Sequence, residues 1–338
     1  MATLSDVALR AGVSVSAVSR VLSDAPEARV SPQTRERIRA AARELNYRPN
    51  FAGRALKFSR TDVIALVAPD LTNAFLTELV LGVEEEAARC GYMLLLGRSE
   101  DLKPGGEMVS RLVGEGRVDG MLVQVGDTSR LEDLQELVDA DLPVVFINSV
   151  EAGHASGVVL DDERGAGMAT QHLLELGHRD IGLLGGLPHT WTARRRRAGF
   201  LATMRAAGVP AARNWMTTLG YTAQQGRDAL RRVMTRPAAP TALVVANVNA
   251  AIGALQEARR LGLDVPGDLS VVAVHDAWTA ENTWPPLTAV KMPMHQLGQA
   301  AVRALYNRLH ALPVEDHVVA DPAPRLMLRE STRFLSAP

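Results

Sequence analysis

One cysteine, four tryptophans, four tyrosines and six phenylalanines are a sparse supply for a chain of 338 residues. The lone Cys90 excludes an internal disulfide framework and a cysteine-held metal site. The histidines at 172, 178, 189 and 275 do not have metal-site spacing. Gly182, Gly185 and Gly186 in G-L-L-G-G do not make a G-x-G-x-x-G nucleotide loop. No serine or other nucleophile has an obvious base beside it. No apolar run approaches a membrane span, and the N-terminus reads as a polar helix, not an export signal. These absences argue against an enzyme, a resident cofactor or metal, and a membrane partner, and they point to the cytoplasm.

What is present is a length too great for one core, so two or three domains are expected. A hydrophobic content of 47% with 22% charged residues is ordinary for a folded globular chain. The net charge of −1 hides an asymmetry: residues 1–60 carry eleven Lys/Arg and five acids, about +6, and the rest about −7. A basic head on an acidic body is the electrostatic layout of a tethered nucleic-acid reader. A solvated arginine-rich helical face would explain the charge alone.

The head supplies more than charge. Thr3 with Asp6 matches a capping box, opening a helix through Val7, Ala8 and Ala11 that Gly12 breaks. Ser14 caps a second helix, V-S-A-V-S-R-V-L. Ser31 followed by Pro32 opens a third, which runs to about Leu45. Two helices joined by a glycine turn have helix-turn-helix geometry, in which the second helix enters the major groove with its first residues toward base edges. Val18, Val21 and Leu22 form its apolar face, leaving Val15, Ser16 and Ser19 on the groove side with Arg20 behind them.

The strings T-L-S-D-V-A-L-R-A-G-V-S-V-S-A-V-S-R-V-L and V-S-P-Q-T-R-E-R-I-R-A-A-A-R-E-L-N-Y-R-P-N resemble the LacI/GalR family of transcriptional repressors. The resemblance continues through N-F-A-G-R-A-L-K, which is similar to that family's hinge helix. It implies that Val15 and Ser16 set base preference, while Thr3, Ser19 and Arg20 position phosphates. It also implies that Asn50, Ala52, Arg54, Leu56 and Lys57 contact DNA from a hinge that orders on the operator. There Leu56 wedges between base steps in the minor groove. A passive linker is the plainer reading of the same segment. The expected organisation is a DNA-binding domain over 1–49, a hinge over 50–60 and an effector-binding, dimerising core over 61–338.

From Asp62 onward short β-branched runs alternate with helical patterns. V-I-A-L-V-A, Y-M-L-L-L, M-L-V-Q-V and P-V-V-F-I-N read as buried parallel strands, and D-I-G-L-L, T-A-L-V-V-A and L-S-V-V-A-V follow as a second series. Two doubly wound lobes result, with ligands expected beyond the carboxyl ends of the strands. One lobe is placed at about 61–160 and 291–320, the other at about 161–290 with the C-terminal end. A last strand is predicted over 325–329. G-H-R-D-I-G-L-L-G-G, T-A-R-R-R-R-A-G-F and P-P-L-T-A-V extend the family resemblance over nearly the whole chain. The fold class expected is therefore α/β: a three-helix head plus a two-lobed, periplasmic-binding-protein-like core of parallel sheets.

The same resemblance implies an effector cleft formed by Asp70, Asn73, Phe75, Gln124, Asn148, Arg196, Tyr221, Asn247 and His275. Each has a local alternative: Asn148 and Asn247 could be turn or cap residues and Phe75 could be core. Of the four arginines at 194–197, the family pattern points to Arg196. Asn148 and His275 stand where carboxylates are common in the family, and Val248 follows Asn247 where the family commonly has Asp. That charge balance suits an anionic sugar derivative better than a plain sugar. The partners implied are a pseudo-palindromic double-stranded operator, a small-molecule effector and a second copy of the chain. A solute-binding protein, which would carry an export signal and lack residues 1–60, and a regulator using its ligand, or a partner protein, as corepressor are the competing readings.

Overall fold

Thr3 starts α1 (Leu4–Ala11) by the reciprocal cap its spacing predicts. Its hydroxyl accepts from the Asp6 amide at 3.3 Å, and its own amide donates to the Asp6 carboxylate at 2.8 Å. Gly12 closes the helix in the left-handed conformation (φ 63°), where glycine sits without strain. α2 (Val15–Leu22) follows, with the Ala17 amide donating to Ser14 Oγ at 3.3 Å. Ser31 caps α3 (Pro32–Glu44), whose first helical residue is the proline. Val7, Ala8, Ala11, Val18, Val21, Ile38, Ala41 and Ala42 make the buried centre of this small bundle. In this computed structural model the chain forms two compact units, residues 1–61 and 62–338. The structure describes residues 2–22, 30–48, 60–69, 73–74, 76–99, 107, 110–125, 142–149, 157–236 and 238–335.

The second unit is built on two sheets. The first contains β1 (Val63–Ala68), β2 (Met93–Arg98), β3 (Gly120–Gln124), β4 (Val144–Ile147), β5 (Gly157–Leu160) and β11 (His317–Val319), in the order β11-β5-β4-β3-β1-β2. The second contains β6 (Ile181–Gly185), β7 (Met216–Thr218), β8 (Ala242–Val245), β9 (Ser270–Val274), β10 (Thr288–Lys291) and β12 (Arg325–Met327), in the order β12-β10-β9-β8-β6-β7. All pairings are parallel except β10 with β12. The last strand is thus antiparallel and ends at Met327, short of the predicted residue 329. The chain crosses between the sheets after β5, after β10 and again after β11.

The helices of this unit pair with one another, in places through close backbone approaches. α4 (Leu76–Arg89) packs on α10 (Met294–Leu309), α5 (Asp162–Glu175) on α6 (Trp191–Ala206), and α7 (Ala223–Met234) on α8 (Val248–Arg260). The short α9 spans Trp278–Glu281. A Cβ on Gly199 would overlap the Glu163 carbonyl, and one on Gly253 would overlap that of Ala223.

His178, just before β6, is buried and structural. Its Nε2 lies 3.2 Å from the Arg333 carbonyl, which can only accept, so that nitrogen carries the proton and Nδ1 accepts from the Thr241 hydroxyl at 2.9 Å. One strand departs from the expectation of burial. β2 lies at the sheet edge with β1 as its neighbour, and Met93 (69% exposed), Leu95 and Leu96 meet solvent. An apolar run predicts an interior strand, but an edge strand keeps one side uncovered.

Candidate DNA-reading face and effector cleft

The head presents Val15 (44% exposed) and Ser16 on the first turn of α2, while Val18 and Val21 are buried in the bundle. Ser16 Oγ lies 3.1 Å from Ser14 Oγ, and the Arg20 Nε–H donates to the Ser16 carbonyl at 3.3 Å. Arg20 is exposed and Ser19 half-buried on the same helix. The Thr3 hydroxyl is engaged with the Asp6 carboxylate at 2.8 Å, so the cap already uses the group expected to position phosphate. Hydrogen bonds from the Thr3 amide, then its hydroxyl, hold the Asp6 carboxyl below its ordinary pKa. Asn50, Ala52, Arg54, Leu56 and Lys57 lie outside the described residues.

In the core, Arg196 is the centre of a buried polar cluster. Its Nε–H donates to Asp162 Oδ1 at 2.7 Å, Nη1 to the Ala246 carbonyl at 2.7 Å, and Nη2 to His275 Nε2 at 2.6 Å. The guanidinium lies over the Tyr221 ring, 5.7 Å from its centroid. The Arg196 side chain is 7% exposed and that of Asp162 not at all. An arginine has no acceptor, so His275 Nε2 must accept and the imidazole is neutral. Burial, then the Arg196 charge, push the His275 pKa down, against the opposing pull of Asp162. Burial pushes the Asp162 carboxyl up, but the Arg196 guanidinium beside it outweighs burial and holds it below its ordinary value.

Local structure fixes each member. Asp162 begins α5, where the helix N-terminus favours a carboxylate. Arg196 is the buried arginine of α6. Of its neighbours, Arg195 pairs with Glu163 at 2.7 Å, Arg194 donates to the His189 carbonyl and covers Trp191, and Arg197 is exposed. His275 follows β9 with φ 64°, and Asn148 follows β4 with φ 54°. Residues other than glycine seldom adopt that region, and such positions gather at functional sites. The Tyr221 hydroxyl meets Thr190 Oγ1 at 3.1 Å and Thr192 Oγ1 at 2.9 Å. A Cβ at Gly186 would overlap the Tyr221 ring, so the second glycine of G-G makes room for that side chain.

The remaining predicted residues are placed less uniformly. Asn247 caps α8, its side chain accepting from the Ala250 amide at 2.8 Å, which is the local role considered for it. Asn148 Oδ1 accepts from the Leu160 amide at 3.3 Å, two residues before Asp162. Gln124 ends β3 and Asn73 precedes α4, and Gln124 Oε1 and Asn73 Oδ1 are buried without a hydrogen-bond partner among the described residues. Asp70 and Phe75 lie outside the described residues. Asp162 is absent from the sequence-predicted set. Its only signal is the D-D pair at 161–162, of which Asp161 is the cap, accepting from the Arg164 amide at 3.1 Å. Arg196 therefore already has a carboxylate, which removes the charge imbalance that pointed to an anionic effector.

The sequence pattern of the bacterial regulatory proteins of the lacI family matches residues 3–50, and that of a periplasmic binding protein-like domain matches residues 170–332. The HTH-type transcriptional regulator DegA of Bacillus subtilis (strain 168) is 33% identical over 99% of this chain and 99% of its own. The transcriptional regulator CelR in complex with cellobiose is 30% identical over 98% of this chain and 100% of its own, with a TM-score of 0.71. The lac repressor dimer bound to operator and the anti-inducer ONPF is 26% identical over 98% of this chain and 99% of its own, with a TM-score of 0.80.

Proposed function

This chain belongs to the lacI family and is a DNA-binding transcriptional regulator whose core takes a small-molecule effector, and on that premise we propose how its parts divide the work. Residues 1–49 read the operator, with Val15 and Ser16 toward bases and Ser19 and Arg20 toward phosphate. Residues 50–60, including Asn50, Ala52, Arg54, Leu56 and Lys57, form the hinge that transmits the core's state. The core over 61–338 binds a sugar or sugar derivative between its two lobes. The observation that carries this reading is the Arg196 cluster, buried and polar beyond the ends of β8 and β9. CelR is bound to cellobiose and the lac repressor to ONPF, and the cellobiose complex in particular supports a sugar-like ligand here.

We further infer a homodimer on a pseudo-palindromic operator in the cytoplasm. The lac repressor of similar fold is a dimer on its operator. The exposed apolar edge of β2, with Leu81 on α4, is the kind of surface that a second copy would cover. No helix among the described residues is long and apolar enough to cross a membrane. The relatives matched are transcription regulators, which supports a regulatory and not an enzymatic role. The test is a thermal-shift screen of sugars, sugar acids and purines on the full chain. A hit should change operator affinity in the wild type and lose that effect in Arg196→Met. A hit whose effect survives Arg196→Met would place the effector elsewhere.

A further inference from the structure

We propose that Asp162 is a specificity-determining residue: by neutralising Arg196 it makes this an effector site for uncharged, hydroxyl- or N–H-rich molecules and excludes carboxylates and phosphates. The proposal rests on the reading of the Arg196 cluster as the effector site. Among the described residues Arg196 is the one cation of the cluster, and Asp162 contacts it directly at 2.7 Å with both side chains buried. The pair stands on different helices, 34 residues apart, so the match is made by the fold. Three guanidinium nitrogens already donate, to a carboxylate, a carbonyl and a neutral imidazole. His275 adds no charge, because its Nε2 is the acceptor for Arg196.

Three buried acceptors point the same way. Asp162 Oδ2, Asn73 Oδ1 and Gln124 Oε1 are buried oxygens that have no hydrogen-bond partner among the described residues. Buried acceptors left without donors are costly and rare. A hydroxyl or N–H supplies the missing donor. A carboxylate or phosphate brings lone pairs in place of donors, and faces Asp162 with its own charge.

The experiment is calorimetric titration of the full chain, near neutral pH and at fixed ionic strength, with inorganic phosphate and with glucuronate and glucose as a matched pair. The variants are Asp162→Asn, which keeps the shape and removes the charge, and Arg196→Met. The wild type should show no anion binding that depends on Arg196, and Asp162→Asn should bind phosphate or glucuronate at least about tenfold more tightly. Wild-type binding of either anion that disappears in Arg196→Met would overturn the proposal, as would an Asp162→Asn protein that folds and gains nothing. If Asp162→Asn does not fold, the wild type against Arg196→Met decides alone. The phosphate arm reports the charge at Arg196 directly. A failed effector screen would therefore sink the functional reading without obscuring this result.

Discussion

Replacing Arg196 by methionine keeps much of the side chain's length and removes its charge and every donor. In the folded chain this leaves Asp162, with no solvent exposure, facing a neutral His275 and no cation. Breaking a buried ion pair by removing one partner costs about 3–5 kcal/mol, because the surviving charge stays desolvated. Domains are stable by only about 5–15 kcal/mol, so the loss should be plain in urea unfolding. All four tryptophans, Trp191, Trp215, Trp278 and Trp284, lie in the core unit, so their fluorescence follows the core and not the head. Removing the partner charge as well, in Asp162→Asn with Arg196→Met, should recover much of the loss. A single-variant loss below about 1 kcal/mol, with the two substitutions adding independently, would mean that the pair is solvated and its burial contributes nothing.

The depressed histidines give a pH prediction. His172, His178 and His275 are all held below the ordinary histidine pKa in the fold, chiefly by burial, so the unfolded chain binds more protons. Core stability should therefore fall as pH drops below about 6.5, by at most about 1.4 kcal/mol per pH unit for each histidine, and by less for the half-buried His172, where solvent screens the charge. A flat urea midpoint across that window would contradict the neutral assignments. Arg20→Ala should weaken operator binding evenly across sequences and lower the salt slope by roughly 0.9 per lost phosphate contact, whereas Ser16→Ala should change which operators are preferred; equal salt slopes would remove Arg20 from the phosphate contacts. Leu95→Glu on the β2 edge should shift sedimentation toward monomer, and an unchanged dimer would place the interface elsewhere. Leu56→Ala should reduce DNA bending and cost operator affinity on the order of a few kcal/mol, and equal bending with equal affinity would leave residues 50–60 a passive linker.

Local chemistry is legible in the chain wherever neighbours in sequence are neighbours in space. Thr3 with Asp6, Gly12, and Ser31 before Pro32 mark helix ends whose partners lie within four residues. The apolar, often β-branched runs mark the strands of both sheets by local composition, although the strands' partners lie far off in sequence. What escapes depends on tertiary placement. Nothing in M-L-L-L says that β2 falls at an edge, because strand order is set by crossovers. Asp162 looks in sequence like the second half of a cap, and its role emerges only when α5 and α6 bring it to Arg196. Asn247 shows the opposite case, a residue expected in the cleft that also serves its own helix as cap.

If a molecule held at the Arg196 cluster controls how tightly the head holds DNA, the two ends of the chain must report on each other in one assay. The direct measurement is fluorescence anisotropy of the full chain on a pseudo-palindromic operator selected from random DNA, at one salt concentration, with and without the effector found by screening. Effector should shift operator affinity in the wild type and leave that of Arg196→Met unmoved. An effector that binds the core and shifts operator affinity equally in Arg196→Met would contradict this account of the cluster.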